Sequence, residues 1–168
     1  KAITMVKNDK DVFPLTDPNS TCLYVFAENR QSRQGLRLLD EIRGRAPGMK
    51  TQLLDGYLPE SAFNEYAEAA RANCRVVLVA AFTSVAAYRG DTALSGGFGG
   101  FLDKLLAGPS PVGLVSLGNP YLAKSYPGAA GFLTTYSTTP PAEISTARAL
   151  FGEMKVQGRL PVTVPNVA

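Results

Sequence analysis

The run Val76-Val77-Leu78-Val79-Ala80-Ala81 is apolar at every position instead of every second one. A strand with one face in water alternates, so this one is expected to be covered on both faces, as in the interior of a mostly parallel sheet. The same rhythm runs along the chain. Cys22, Met49 and Val76 each open an apolar or β-branched run and stand 27 residues apart (49−22 and 76−49). That is about the length of a strand, loop, helix and loop, the spacing of βαβ units. Between and after these runs the periodicity turns helical. Leu36, Leu39 and Ile42 form one face, Phe63, Tyr66, Ala67 and Ala70 a second, and Phe98, Phe101, Leu102 and Leu105 a third. Ile144, Ala147, Phe151 and Met154 form a fourth, opened by Thr139-Pro140-Pro141 with Glu143 in the first turn. Strands are expected at Ile3 to Lys7, Leu23 to Ala27, Thr51 to Leu54, Val76 to Ala81, Val112 to Leu117 and Phe132 to Tyr136. The fold class is therefore α/β: a three-layer αβα sandwich around a mostly parallel sheet of about six strands, flavodoxin-like in appearance.

At 168 residues the chain reads as a single domain, able to bury roughly 70% of the surface its unfolded form exposes. A hydrophobic content of 45% with 18% charged residues is that of an ordinary globular protein. No run approaches the ~20 apolar residues of a membrane span, and no segment reads as a signal peptide. The compartment is left open, a periplasmic or secreted one among the options. A dispersed net charge of +3 argues against a nucleic-acid partner. Arg30, Arg33 and Arg37 fall at helical spacing, with Asp40 and Glu41 three and four residues beyond Arg37, which reads as a salt-bridged solvated face. Cys22 and Cys74 are not spaced for a metal site and each opens an apolar run. Two cysteines can pair, but free thiols acting as small hydrophobes are expected.

The chain has no histidine, so imidazole acid/base work and Ser-His-Asp or Cys-His arrangements are excluded within it. Ser95 to Gly100 is glycine-rich ahead of a helix, but it lacks the Gly-x-Gly-x-x-Gly spacing and no Lys-Ser or Lys-Thr follows. It reads as a flexible loop, and no cofactor or metal is expected. In open sheets, ligands bind beyond the carboxyl ends of the strands. Three polar segments leave those ends: Phe82-Thr83-Ser84 through Asp91, Gly118-Asn119-Pro120-Tyr121, and Tyr136-Ser137-Thr138-Thr139. They nominate Ser84, Arg89, Asp91, Asn119, Tyr121 and Ser137 as residues of a substrate edge or an interdomain surface. At Asn119-Pro120-Tyr121, Pro would end the strand, Asn cap the turn, and Tyr pack with its hydroxyl at the surface. Arg89-Gly90-Asp91 spells an adhesion tripeptide, but a match of that length is near chance, and a lone Asp91 or Asp103 is normally just solvated.

Pro111 to Tyr121, then Ala147-Arg148-Ala149-Leu150-Phe151-Gly152-Glu153 and Gly158-Arg159-Leu160-Pro161-Val162-Thr163-Val164-Pro165, together with Ala2 to Asp9 and Pro14-Leu15, carry a resemblance. The chain closely resembles the C-terminal domain of glycoside hydrolase family 3 enzymes, particularly the branch of β-N-acetylhexosaminidases. In that family a (β/α)8 barrel carries the aspartate nucleophile and most of the sugar pocket, and an α/β domain packs beside it. The resemblance covers nearly all of residues 1–168 and leaves no room for a barrel, so the chain is expected to be one domain of a longer enzyme.

Glycoside hydrolysis usually takes two carboxylates, about 5–5.5 Å apart when configuration is retained. In several β-glucosidases of the family the proton donor is a glutamate in the loop after the strand corresponding to Val76 to Ala81. The matching place is near Ala86 or Ala87, and no Glu occurs between Glu68 and Glu143. The hexosaminidase branch instead takes its donor from a His and Asp pair on a barrel loop. The resemblance therefore implies an accessory domain with no catalytic residue of its own, inactive alone. Its partner is the N-terminal barrel of the same polypeptide, which binds the carbohydrate. A β-glucosidase-like second domain that supplies substrate contacts is one alternative, and a stand-alone flavodoxin-like small-molecule binding module is another.

Overall fold

The computed structural model describes residues 3–28, 31–83 and 96–156. Six strands and five helices follow one another as β1 (Ile3–Asn8), β2 (Thr21–Ala27), α1 (Leu36–Arg45), β3 (Lys50–Asp55), α2 (Glu60–Asn73), β4 (Val76–Phe82), α3 (Gly96–Ala107), β5 (Val112–Leu117), α4 (Leu122–Ser125), β6 (Gly131–Thr135) and α5 (Pro140–Leu150). The strands form one sheet in the order β1-β6-β5-β4-β2-β3. All neighbours are parallel except β1 and β6.

The uniformly apolar strands are explained by what lies on each face. Val77, Val79 and Ala81 of β4 join Cys22 and Tyr24 of β2, Leu114 of β5 and Phe132 of β6 under Phe63, Ala67 and Ala70 of α2 and Phe98, Phe101 and Leu102 of α3. Leu78, Ala80 and Phe82 face the other way, with Leu23, Val25, Val115, Leu117 and Leu133, under Leu38, Leu39 and Ile42 of α1 and Ala147 and Leu150 of α5. Successive side chains of a strand point to opposite faces, so a helical layer on each side leaves no position for a polar residue. The three-layer sandwich expected from the sequence is observed.

Local departures have local causes. Leu36 is exposed because it opens α1, and Leu38 takes its place in the buried face. Helix α5 ends at Leu150, so Phe151 and Met154 pack on the same core from beyond it. The expected arginine stripe does not form as a helical face. Arg33 precedes α1, and Arg30 lies outside the described residues. Asp40 and Glu41 pair onward with Arg43 at 4.0 Å and Arg45 at 2.7 Å, not back to Arg37, the acid-before-base orientation that suits a helix. Arg45 is also held in a two-point grip by Glu153 at 2.7 and 2.9 Å, tying the segment after α5 to α1. These hydrogen bonds, first to Glu153 and then to Glu41, raise the guanidinium pKa further, and Arg45 lowers that of Glu153.

The expectation of free thiols is overturned. Cys22, near the start of β2, and Cys74, the C-cap of α2, form a disulfide across 52 residues with Cα atoms 5.8 Å apart. The β2-to-β4 crossover returns the chain beside its own start, pairing Cys22 with Val77, a proximity that spacing along the chain does not reveal. In the chain-entropy account, closing a loop of that length contributes about 4 kcal/mol.

One buried charge spans two helices. Gly35, the N-cap of α1, has φ +90° and no side chain to cap with. Instead buried Glu143 of α5 accepts the Leu38 N–H at 2.8 Å, with the N–H groups of Gly35 and Arg37 and the charge of Arg37 also favouring its ionised form. Burial outweighs these and raises the Glu143 pKa above its ordinary value. Its contribution to stability is therefore fully present below the unfolded pKa and is lost as pH rises through the folded one. In urea titrations at a series of pH values, the stability of the parent relative to Glu143→Gln is expected to be greatest in acid and to decline toward neutrality. A difference that stays flat or grows with pH contradicts the assignment. Leu78, fully buried on the central strand, should cost about 2–5 kcal/mol on truncation to Ala, read from the same titrations.

Candidate functional site

Strand order reverses between β2 and β4: the chain leaves β2 to place β3 on one side, then returns to lay β4, β5 and β6 on the other. Such a switch point opens a crevice beyond the carboxyl ends of the two strands. The nominated residues Ser84, Arg89 and Asp91 follow β4 and lie outside the described residues. Asn119, Tyr121 and Ser137 follow the adjacent strands β5 and β6, and the sheet brings them to one stretch of the edge.

Gly118 organises that stretch. Its φ is +115°, its N–H donates to the Thr135 carbonyl at 2.8 Å, and a Cβ there would strike the Thr83 carbonyl oxygen and lie 3.0 Å from Thr138 Cγ2. Only glycine lets the ends of β4, β5 and β6 converge this closely. The turn that follows carries Asn119 inward, where it is 1% exposed. Its carbonyl accepts from Ser116 Oγ, and its Oδ1 accepts the Tyr121 N–H at 2.8 Å. Asn119 is thus a turn-holding residue, as its residue type suggested. Among the described residues, its Nδ2 and the Oγ1 of Thr83 are both buried without a hydrogen-bond partner.

Tyr121 projects from this turn, 37% exposed, and Tyr136 is 41% exposed at the end of β6. Partial burial first, and then the charge of Tyr121, raise the Tyr136 phenol pKa. Ser137 Oγ shares a 2.7 Å hydrogen bond with Thr139 Oγ1 and accepts the Thr139 N–H at 3.1 Å, ordering the approach to α5.

Residues not singled out in the sequence also reach this edge. Glu28, just past β2, donates its N–H to Gln34 Oε1 at 2.9 Å and accepts from Gln34 Nε2 at 3.0 Å. Asp55, ending β3, accepts the Tyr57 N–H at 2.8 Å. Both carboxylates are engaged locally, and what could have found them is the strand order, which no residue pattern states. Among the described residues, the exposed large hydrophobics are Leu36, Leu53, Tyr57, Tyr121 and Tyr136. Four of them leave carboxyl strand ends or open α1, and the fifth, Leu53, lies on the edge strand β3. No group of three or more His, Cys, Asp or Glu that could hold a metal occurs among the described residues, and none of their helices is long and apolar enough to cross a membrane.

Gly118→Ala should be costly because the left-handed backbone and the Thr83 contact both oppose a side chain. A loss of at least about 1–3 kcal/mol is expected in thermal unfolding, while Tyr121→Phe should leave the midpoint unchanged.

No family model matches the sequence, and no curated protein does. Solved structures do. The chain is similar to a fungal multi-domain glycoside hydrolase family 3 β-N-acetylglucosaminidase, at 19% identity and TM-score 0.77, over 99% of this chain and 18% of that one. It is similar to a family 3 β-N-acetylglucosaminidase from a Paenibacillus strain, at 22% identity and TM-score 0.75, over 95% and 30%. A β-glucosidase from Listeria innocua, in complex with isofagomine, matches at 14% identity and TM-score 0.73, over 98% and 26%. This chain thus spans less than a third of each of these proteins, and at such identities what the likeness establishes is the fold: an α/β sandwich that forms one part of these longer glycosidase chains.

Proposed function

We propose that this chain is the accessory domain of a family 3 glycoside hydrolase similar to β-N-acetylhexosaminidases, which hydrolyse O-glycosidic bonds. In this reading it buttresses a (β/α)8 barrel of the same polypeptide, which supplies the nucleophile and binds the carbohydrate. The observation that carries it is the carboxyl edge itself. Tyr121 and Tyr136 stand exposed on the rim, while the carboxylates Glu28 and Asp55 there are engaged in local hydrogen bonds and the chain has no histidine. Among the described residues the rim offers aromatic area of the kind enriched at interfaces, with little equipment for acid/base chemistry. The fold supports the same reading, since it fills only 18% to 30% of the longer glycosidases it resembles. An interface between domains of one chain usually buries ~600–1,500 Å² and is moderately polar, which suits tyrosines flanked by the half-buried Ser137 and the exposed Thr139.

Two measurements test this. The isolated chain is expected not to hydrolyse aryl β-N-acetylglucosaminides or aryl β-glucosides above background. Turnover that survives repurification and is abolished by a substitution within the chain overturns the proposal. In the full-length enzyme, Tyr121→Ala combined with Tyr136→Ala should weaken domain docking or activity, while the isolated domain changes by no more than about 0.5 kcal/mol, as for surface positions. A loss in the isolated domain as large as that of a core truncation makes these tyrosines structural and removes the docking edge.

A further inference from the structure

We infer that this chain is matured by oxidation in a compartment outside the reducing cytosol, and that the Cys22–Cys74 bond is made before α2 closes over β2. The inference rests on the disulfide's place in the fold and is independent of the proposed glycosidase role. The two Cα atoms stand 5.8 Å apart, within the range a disulfide bridges. The residues are only 3% and 6% exposed, in one cluster with Ala70, Val77, Leu105 and Val112. The backbone around them is tied down on every side. The Cys74 N–H donates to the Ala70 carbonyl at 3.0 Å, the Arg75 N–H donates to the Ser20 carbonyl at 2.8 Å, and Ser110 Oγ donates to the Cys74 carbonyl.

Labile or regulatory disulfides are strained or exposed, whereas a buried bond in a hydrogen-bonded frame persists, and such bonds belong to oxidising compartments. Burial also orders the events. A thiolate must reach the oxidant's disulfide directly, and both cysteines are buried once α2 is docked.

The chemistry is a two-step exchange with a thiol–disulfide oxidoreductase, the co-reactant the step requires. One cysteine thiolate attacks the oxidant's disulfide, forming a mixed disulfide and releasing one oxidant thiolate. The second cysteine thiolate then attacks the chain's sulfur of that mixed disulfide and expels the other oxidant sulfur. The chain loses two electrons and two protons, and the oxidant gains both as a dithiol.

The test uses the protein from its native cells, quenched in acid and then denatured in urea at neutral pH with excess N-ethylmaleimide, so that buried free thiols are blocked too, with no reductant at any stage. Tryptic mapping should then yield peptide 11–30, containing Cys22, covalently linked to peptide 72–75, containing Cys74. Recovering the two peptides separately, each alkylated, overturns the inference of an oxidising compartment. For the order of events, the purified chain is fully reduced and returned to native buffer. Its thiols should react with a maleimide at least about tenfold more slowly than in urea, because reaction needs local opening. Equal rates in the two conditions overturn the claim that oxidation precedes the closing of α2.

Discussion

The covering of β4 on both faces is the constraint from which the other features follow. Its backbone pairs with β2 on one side and β5 on the other, and its side chains alternate between two separate apolar clusters. A strand so placed needs a helical layer above and below, which βαβ crossovers supply. The crossovers in turn put every parallel strand's carboxyl end on the same edge of the sheet. The position of the candidate site is therefore a consequence of how the centre of the sheet is buried.

The edge is built by close approach of strand ends, which side-chain hydrogen bonds then hold. Gly118 sits where a Cβ would strike Thr83 and crowd Thr138, so the ends of three strands meet at a position with no side chain. The strain-free turn at glycine then carries Asn119 into the interior, and Asn119 holds the Tyr121 backbone with one carboxamide oxygen. The exposure of Tyr121 is thus set two residues upstream, by a buried group.

The layer of α1 and α5 is joined by polar devices as well as packing. Glu143 supplies from α5 the cap that Gly35 cannot give α1, and Arg45 clasps Glu153 beyond the end of α5. The first is a buried carboxylate whose hydrogen bonds do not fully repay its desolvation, as the raised pKa records. The second is partly exposed, and its bidentate geometry provides orientation more than stability. On the opposite face the disulfide does comparable work, fixing the end of α2 to the start of β2.

What the residues determined by themselves were the local quantities. Val76 to Ala81 had to be a strand buried on both faces, the 27-residue rhythm required βαβ units, and Asn119-Pro120-Tyr121 had to be a turn, because each depends on neighbours a few positions away. What tertiary structure decided were the meetings of distant residues. Leu36 lies outside the buried helix face and Leu38 within it because α1 begins at Leu36 and packs Leu38, Leu39 and Ile42 on the core. Cys22 met Cys74, Glu143 met the start of α1, and Glu28 and Asp55 joined Tyr121 along one edge because the sheet runs in the order β3-β2-β4-β5-β6. Periodicity names which face of an element is buried but not which element lies against it. Strand order, selected by the packing of whole layers, is therefore the information that only the folded chain contains.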